Sequence, residues 1–466
     1  MLKKSIKVLY VSAELNPLAK VGGLGDVAGS LPKELLKSNI DIRVALPFYS
    51  VIKKKNIKTK CIRQNMLVPF GNYEYLVDIF LTTIPNSKVP VYLFRHNHFF
   101  KETKIYGANK EKFMFFTQCL KEFLKLNIFQ TQIIHLNDSH AGNLIPLIKE
   151  DEFFKNANYK YLLSIHNLAM QGIVPNYKTK LWHPSLFKPR ATEYNTIANL
   201  LYNADLINTV SPQYAKDILT NEYSFHLDKQ LHQNKHKISG IINGIDYNFF
   251  GPDQDKYIYK KYNINTLSKK IANKKFLQKK CRLEINENIP IIGLVSRLQK
   301  QKGIDLIDDI ADELMQFNAQ FIFTGVGNEL YENNFKQIQH LYPKKFYYLG
   351  MFDVAFGQYI YAGADMFLMP SWFEPCGLGQ MIAMAYGTIP IVRATGGLKD
   401  TVKDGVNGFS FNKYDAGELL KTIKRAIKAY ENKTKWNKMV CTAMKQDFSW
   451  KKSALEYKKL YLKLLK

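Results

Sequence analysis

The chain has 466 residues, of which 46% are hydrophobic and 23% charged, and its formal net charge is +26. This length exceeds what one hydrophobic core usually supports and predicts two domains, and the hydrophobic content is that of a globular protein. Only eight of the 66 basic residues are arginine, the preferred bidentate reader of bases and phosphates, so the lysine bias argues against a dedicated nucleic-acid surface.

The cysteines and the N-terminus bear on the cellular compartment. Five cysteines lie far apart and form no CxxC pair, which indicates neither a disulfide framework nor a zinc site and fits a reducing compartment. The apolar run behind the first lysines has only about six residues before Glu14, too few for a signal peptide. No apolar stretch approaches the ~20 residues of a membrane span. We therefore expect a cytoplasmic protein.

The first 245 residues repeat a pattern of short apolar strand, turn and helix. The strand segments in chain order are KVLYVSA, IDIRVALP, QIIHLND, YKYLLSIHN and ADLINTVS. Strands that alternate with helical segments are typical of a parallel, doubly wound α/β sheet. We interpret residues 1–245 as one Rossmann-like domain.

A second series of the same kind follows a change of composition at NGID (243–246). A polar segment to about residue 288, which we expect to be helical, precedes the strands IPIIGLVS, AQFIFTG, KFYYLG, MFLMP and TIPIVRA. Residues 246–448 are therefore predicted as a second Rossmann-like domain, with a hinge near 243–250.

The last segment, residues 449–466, has apolar residues at helical spacing. These are Trp450, Leu455, Tyr457, Leu460, Leu462 and Leu465. Such a stripe predicts a terminal amphipathic helix that must pack on another part of the chain.

The first candidate site is the glycine-rich loop KVGGLGDV (20–27) behind the first strand. It is neither GxGxxG nor a P-loop, so by itself it is weak evidence for phosphate binding. Lys20, at the start of the loop, is a cation able to meet a phosphate. The alternative interpretation is a tight turn from strand to helix.

Polar residues also close two later strands of the first domain. Asp138 and His140 end one strand, and His166 and Asn167 end the next. The carboxyl ends of parallel strands are where open α/β sheets bind ligands. The structural alternatives are that Asp138 caps the following helix and that His166 is a hydrogen-bonded core histidine.

In the second domain, Arg297 and Lys302 flank the turn of SRLQKQKG (296–303). Side chains five residues apart across such a turn can converge on one anion, and two cations on a diphosphate would neutralise a leaving group without a metal. Taken alone, the segment favours the alternative interpretation, two ordinary surface cations, by about two to one.

The most informative segment is residues 370–402, which we interpret as a βαβ unit with two glycine-lined turns. The first turn carries Glu374, and small residues (Cys376, Gly377, Gly379) open the helix behind it; the second turn is Thr395-Gly396-Gly397. Such turns let backbone N–H groups approach a phosphate. An acid there would face hydroxyls or a developing cation, so the pattern suggests a nucleotide-sugar.

No spacing of ligand residues predicts a metal site. The pattern DxD, which holds Mn²⁺ or Mg²⁺ in one class of glycosyltransferase, occurs at Asp253-Gln254-Asp255. It does not follow a strand here, so we interpret it as a solvated loop and predict no metal and no cofactor.

Nine motifs in order closely resemble bacterial glycogen synthases and plant starch synthases. They are KVGGLGDV, HLNDSHAG (135–142), SIHNLAMQG (164–172), TVSPQYA (209–215), NGID, SRLQKQKG, YAGADMFLMPS (361–371), FEPCGLGQ (373–380) and TGGLKDTV (395–402). The resemblance implies a GT-B fold: two Rossmann-like domains, an interdomain cleft, and a C-terminal helix that crosses back to the N-terminal domain. It also implies a hexosyltransferase that moves glucose from ADP-glucose to the 4-hydroxyl end of an α-1,4-glucan with retention.

The resemblance further implies roles for individual residues. Asp138 and His166 would lie beside the transferred glucose, Asn167 would bind the substrate, and Asn243 would contact the sugar near the hinge. Lys20, Gly22 and Gly23 would approach the donor. Arg297 and Lys302 would hold the diphosphate, and Glu374 would hold glucose hydroxyls. The remaining donor-binding positions would be Cys376, Gly377, Leu378, Gly379, Thr395, Gly396 and Gly397. The implied partners are donor and glucan, with no nucleic acid or membrane; a plant-like protein would reside in a plastid.

The sequence also departs from the family pattern. The family usually has Trp, Arg and Thr where this chain has Ser139, Trp372 and Gly379. Two alternatives therefore stay open: a catalytically inactive, glucan-binding descendant, and another GT-B nucleotide-sugar transferase, against which KVGGLGDV and HNLAMQG argue.

Overall fold

A computed structural model describes residues 5–102, 104–107, 111–176, 178–179 and 191–466. The chain forms two compact units. The first comprises Met1–Val210, Ala215–Gly244 and Trp450–Lys466, and the second comprises Ser211–Tyr214 and Ile245–Ser449. Each unit is built on a largely parallel sheet with helices between successive strands, which confirms the predicted α/β class.

The first unit contains a nine-stranded sheet in the order β11-β10-β7-β6-β1-β2-β5-β4-β3. The strands are β1 Ile6–Val11, β2 Ile40–Pro47, β3 Lys60–Phe70, β4 Tyr73–Thr83, β5 Pro90–Arg95, β6 Ile133–Asn137, β7 Lys160–Ile165, β10 Leu206–Thr209 and β11 Ile238–Gly240; β8 Ile173–Pro175 and β9 Glu193–Asn195 form a separate pair. The strands from β11 to β5 pair in parallel, whereas β3 and β4 form an antiparallel hairpin on β5 that the sequence pattern did not predict.

The second unit contains a six-stranded, all-parallel sheet in the order β14-β13-β12-β15-β16-β17. Its strands are β12 Ile291–Val295, β13 Gln320–Thr324, β14 Phe346–Leu349, β15 Met366–Met369, β16 Ile389–Arg393 and β17 Phe409–Phe411. The central strands are almost wholly buried, as expected when helices cover both faces of a parallel sheet.

Helices surround these sheets. Among the described residues the α-helices are Gly23–Lys37, Ser50–Lys53, Glu111–Lys125, Leu144–Glu150, Thr196–Asn203, Pro212–Asp217, Asp228–Gln233, Tyr247–Phe250, Lys270–Lys280, Ile304–Asp309, Ala311–Gln316, Glu329–Leu341, Val354–Gly363, Gly379–Ala385, Gly396–Thr401, Ala416–Glu431, Lys433–Met444 and Trp450–Leu464. Short 3₁₀ turns occupy Asp138–Ala141, Glu152–Phe154, Lys235–Lys237, Ile264–Lys269 and Lys300–Lys302. None of the described helices is long and apolar enough to cross a bilayer.

The terminal helix Trp450–Leu464 packs within the first unit, but not through the whole predicted stripe. Its buried residues are Trp450, Ser453, Ala454, Tyr457, Tyr461 and Leu464. Leu455, Leu462 and Leu465 are exposed, so the predicted face was wrong at these positions. The packed face carries tyrosines whose hydroxyls form hydrogen bonds with buried polar groups. The Tyr461 hydroxyl lies 2.7 Å from His135 Nδ1, and Asn208 Nδ2 donates to the Tyr457 hydroxyl at 2.9 Å.

The polar segment after the hinge also differs from its prediction. Apart from the short helix Tyr247–Phe250 it is irregular up to residue 263, and its longer α-helix is Lys270–Lys280. Asp255 is only 2% exposed and accepts hydrogen bonds from the Tyr386 hydroxyl at 2.6 Å and the Tyr257 amide at 2.8 Å. The interpretation of the DxD as a solvated loop was therefore wrong for Asp255, which is a structural carboxylate.

Candidate active site

The polar residues of the first unit gather where the strand order reverses. The chain runs from β1 outward through β2 and β5, and then returns to add β6 on the other side of β1. A crevice opens at such a switch point, beyond the carboxyl ends of the strands. The glycine loop follows β1, Asp138 follows β6 and His166 follows β7.

The glycine loop is held from within by Glu14, a residue that the sequence analysis did not single out. Glu14 is 2% exposed, and its carboxylate accepts from the amides of Val21 at 2.6 Å and Gly22 at 2.8 Å. The Tyr106 hydroxyl donates to its other oxygen at 2.6 Å. A carboxylate already occupies these two amides, so we do not assign them to a phosphate.

Lys20 forms an ion pair at the start of the same loop. Its Nζ lies 2.6 Å from the Asp26 carboxylate, and its side chain is 39% exposed. A lysine paired at a partly exposed site can exchange its partner for a ligand at small cost, because such ion pairs contribute little net stability. The structure thus leaves the Lys20 ammonium group partly exposed beside the Asp26 carboxylate.

Asp138 is held in a strained backbone conformation directly behind β6. Its φ is +54°, a left-handed value that is uncommon outside glycine and tends to occur at functional sites. The side chain is buried and accepts from the amides of His166 at 2.7 Å and Asn167 at 3.4 Å. Burial raises the pKa of the Asp138 carboxyl to about 7, although these two amides oppose the shift. The carboxylate therefore bridges two strand ends rather than capping a helix.

His166 presents a buried nitrogen that has no partner among the described residues. Its Nε2 lies 2.9 Å from Asn137 Oδ1, whereas Nδ1 is buried and unbonded. Burial, with a smaller contribution from nearby His140, lowers the pKa of His166 to about 3, so the ring is neutral near pH 7. An unsatisfied buried polar atom costs about 1–3 kcal/mol, which favours a ligand over a purely structural role.

Two further predicted residues belong to the first unit. Asn167 directly follows His166, and its side-chain oxygen accepts from the Ala169 amide at 3.1 Å. Asn243 lies in the loop behind β11, at the edge of the sheet; its side chain is 6% exposed and its Oδ1 has no hydrogen-bond partner in the described chain. The structure thus brings Asp138, His166 and Asn167 together, with Asn243 at the end of an edge strand.

The second unit has its own switch point, between β12 and β15. Lys302 follows β12, and its Nζ lies 2.6 Å from the Glu374 carboxylate, which follows β15. The Ser371 hydroxyl donates to the same oxygen at 3.1 Å. Arg297 is exposed at the carboxyl end of β12. The structure therefore joins Lys302 to Glu374 and leaves Arg297 facing solvent in the same loop.

The glycines of this unit allow chain segments to touch directly. Gly303 has a φ of +72°, and a Cβ there would lie 2.1 Å from the Pro370 carbonyl oxygen. Gly396 has a φ of +45°, and its Cβ would lie 1.9 Å from the Glu374 carbonyl oxygen. Glycine is needed at both positions, and Gly397 donates to the same Glu374 oxygen at 3.1 Å. The two predicted turns thus pack on one another.

The other predicted donor positions line these turns. Thr395 precedes the helix that begins at Gly396; Cys376 is buried, Gly377 has a φ of +72°, and Leu378 precedes the helix that begins at Gly379. That helix starts later than predicted, because the left-handed Gly377 keeps the preceding residues out of helical geometry.

Gly379, where the family usually has Thr, fits its surroundings. A Cβ there would lie 3.0 Å from Phe367 Cε1 and 3.1 Å from Met369 Sδ, both on β15. Phe367 and Met369 fill the space that a larger side chain would need. A side chain at this position would require Phe367 and Met369 to shift by a few tenths of an ångström.

Glu14, Asn137 and Tyr10 were missed by sequence reasoning. Each lies on, or directly behind, a strand that bears a predicted residue, and each is at most 2% exposed. A polar residue next to the carboxyl end of a parallel strand was the available signal. Among the residues that the structure describes, no group of His, Cys, Asp and Glu is arranged to hold a metal.

Known proteins resemble this chain over nearly its full length. A family model for the starch synthase catalytic domain matches residues 7–233, and one for glycosyl transferases group 1 matches residues 275–440. The chain is 42% identical to the glycogen synthase of Kosmotoga olearia over 99% of this chain and 98% of that protein. It is 41% identical to the glycogen synthase of Clostridium perfringens, with 99% of each covered.

Solved structures agree with these similarities. The catalytic domain of starch synthase IV from Arabidopsis thaliana, bound to ADP and acarbose, matches with a TM-score of 0.91 and 29% identity over 99% of both chains. A sucrose-phosphate synthase from Thermosynechococcus elongatus matches with a TM-score of 0.62 and 18% identity, and shares the fold.

Proposed function

Since the chain belongs to the glycogen synthase and starch synthase family of hexosyltransferases, we propose that it transfers glucose from ADP-glucose to the non-reducing 4-hydroxyl end of an α-1,4-glucan with retention of configuration. The observation that carries the proposal is the full-length similarity to a starch synthase bound to ADP and acarbose, a nucleoside diphosphate and an oligosaccharide. That pair of ligands corresponds to the donor's leaving group and to a glucan.

The two units divide the work in this proposal. The first unit, with Asp138, His166, Asn167 and Asn243, holds the transferred glucose and receives the acceptor. The buried acceptors of Asp138 and His166 suit sugar hydroxyls, since hydroxyls can donate to them. Lys20 approaches the donor from the same unit.

The second unit holds the nucleoside diphosphate in this proposal. Arg297 and Lys302 supply positive charge at the end of β12, where it offsets the negative charge that develops on the leaving diphosphate. Glu374, held by Lys302 and Ser371, accepts from glucose hydroxyls. The turns at 376–379 and 395–397 let their backbone N–H groups approach the diphosphate closely.

Retention follows a different route from that of retaining glycosidases, which place two carboxyls about 5–5.5 Å apart. Here both candidate carboxylates have other partners: Asp138 holds two backbone amides and Glu374 holds Lys302. We infer that the acceptor hydroxyl attacks the face from which ADP departs. The bond from glucose to the diphosphate oxygen breaks, the new glycosidic bond forms, and the departing phosphate takes the hydroxyl proton.

A transfer assay with radiolabelled glucose tests the function and its donor. We expect label from ADP-glucose to enter glycogen, with a higher kcat/KM than label from UDP-glucose. Equal or higher kcat/KM with UDP-glucose would contradict the donor assignment. Glucan binding without transfer from either donor would instead support the inactive descendant.

Transfer is also expected to need no divalent metal, because Arg297 and Lys302 supply the charge that Mg²⁺ or Mn²⁺ supplies elsewhere. The measurement is the transfer rate after dialysis against EDTA, compared with the same sample after Mg²⁺ or Mn²⁺ is restored. Loss of activity in EDTA that either ion reverses would refute the assignment.

A further inference from the structure

The side chain that contacts His166 from inside the first unit is Asn137, the last residue of β6. Its Nδ2 lies 2.9 Å from the Val11 carbonyl oxygen, which can only accept. This contact fixes the orientation of the amide, so that Oδ1 faces away from Val11. Asn137 is 1% exposed, and water cannot offer it alternative partners.

The Asn137 oxygen then determines which nitrogen of His166 carries the proton. Oδ1 lies 3.0 Å from the Tyr10 hydroxyl and 2.9 Å from His166 Nε2. A carbonyl oxygen accepts only, so both of these groups must donate to it. His166 therefore carries its proton on Nε2, and its buried, partnerless Nδ1 is a bare acceptor.

We propose that Asn137 and Tyr10 are positioning residues that hold His166 in the Nε2–H tautomer, so that Nδ1 accepts a hydrogen bond from a sugar hydroxyl. The inference rests on the proposed function, which identifies the molecule that carries this hydroxyl as a sugar. A bare acceptor selects a group that can donate a proton, as every sugar hydroxyl can, and disfavours an ionised phosphate oxygen, which cannot. The hydrogen bonds from Tyr10 and His166 to Asn137 thus give this part of the site its preference for the sugar.

Other titratable groups surround the ring. Asp138 and His140 come from the turn behind β6, Tyr10 from β1 and His135 from β6. Asp138 accepts from the His166 backbone amide and not from the ring. It therefore does not compete with Asn137 for Nε2 or occupy Nδ1. Burial raises the pKa of Tyr10 well above its usual value, so its hydroxyl stays a donor throughout the working range of pH.

The direct test is ¹⁵N spectroscopy of the full-length protein labelled with [¹⁵N]histidine, because ring ¹⁵N shifts separate protonated from bare nitrogens. The chain has ten histidines, and a His166→Gln spectrum assigns the signal. We expect Nε2–H and bare Nδ1 at pH 7. A proton on Nδ1 would overturn the proposal. This measurement needs no turnover, so it stands even if the transfer assay fails.

The functional test compares variants of Asn137 with a matched control. Asn137→Ala frees the ring, and we expect kcat/KM for glucosyl transfer to fall about tenfold or more. Asn208→Ala is the control, since Asn208 is also a fully buried strand asparagine but its side chain donates to Tyr457 instead of bonding His166. An equal loss in both folded variants would reduce Asn137 to a structural role.

Asn137→Asp gives a signature that packing alone would not produce. A carboxylate next to Nε2–H stabilises the imidazolium, so the ring should become charged at a higher pH than in the parent, and Nδ1 then becomes a donor. We expect kcat/KM to gain an acidic limb and to exceed that of Asn137→Ala at pH 8. A pH profile parallel to that of the parent, with no recovery at pH 8, would overturn the proposal.

Discussion

Replacing Lys302 with alanine is expected to lower kcat about 10²–10³-fold, with a smaller rise in KM. Its ammonium group is proposed to interact most strongly with the charge that develops on the leaving diphosphate, and loss of one preorganised donor of this kind typically has an effect of that size. The change also leaves Glu374, only 6% exposed, without its cation. Steady-state kinetics with ADP-glucose and glycogen give both constants.

The control for Lys302 lies two residues earlier in the same turn. Lys300 is exposed, and Lys300→Ala removes a positive charge at nearly the same place without touching Glu374. Its kcat should change less than about twofold, as for a surface cation.

The double variant Arg297→Ala with Lys302→Ala should lower kcat by less than the product of the two single effects, because both residues serve one leaving group. A folded Lys302→Ala enzyme with near-normal kcat would remove this residue from the mechanism.

Asp138→Asn is expected to lower kcat about 10²-fold and, at the same time, to stabilise the fold at alkaline pH. The amide oxygen still accepts from His166 N, but the negative charge proposed to lie beside the transferred glucose is lost. Activity and stability thus change in opposite directions, as expected where a buried charge is retained for function.

The pH dependence of this stability effect follows from the raised pKa of Asp138. Its pKa is 3.8 in the unfolded chain and about 7 in the folded one, so the native state binds the proton more tightly. The associated stability is full below pH 3.8 and is lost as pH rises through about 7. The asparagine variant has no such loss, so its advantage in the free energy of unfolding should grow from pH 5 to pH 8, by about 2–4 kcal/mol.

Urea unfolding of the parent and of Asp138→Asn at several pH values measures this difference. Asp205→Asn is a suitable control for activity, since Asp205 also accepts from a backbone amide, that of Tyr161 at 2.7 Å, but precedes β10 instead of following a strand. An advantage that is constant with pH, or that shrinks toward pH 8, would show that the Asp138 carboxyl is not destabilised by burial.

Local sequence was enough to predict most of the strands and the two glycine turns of the second unit. A short β-branched or aromatic run followed by glycine predicts a strand and its turn, because these residues are enriched in strands and glycine supplies the positive φ that several turn types need. The same locality placed Asp138, His166 and Glu374 at strand ends, where a parallel sheet opens a crevice. The ordered motifs then identified the family before any contact was known.

The sequence by itself therefore determined the fold class, the family and the strand ends that carry polar residues. Only the tertiary structure decided the partners: Glu14 on the loop amides, Asp255 buried under Tyr386, and Asn137 between Tyr10 and His166. It also decided which face of the terminal helix is buried, since Tyr461 packs inward while Leu462 stays exposed. The physical reason is that burial and hydrogen bonding depend on residues far apart in the chain, such as His135 and Tyr461, whose meeting no local pattern encodes.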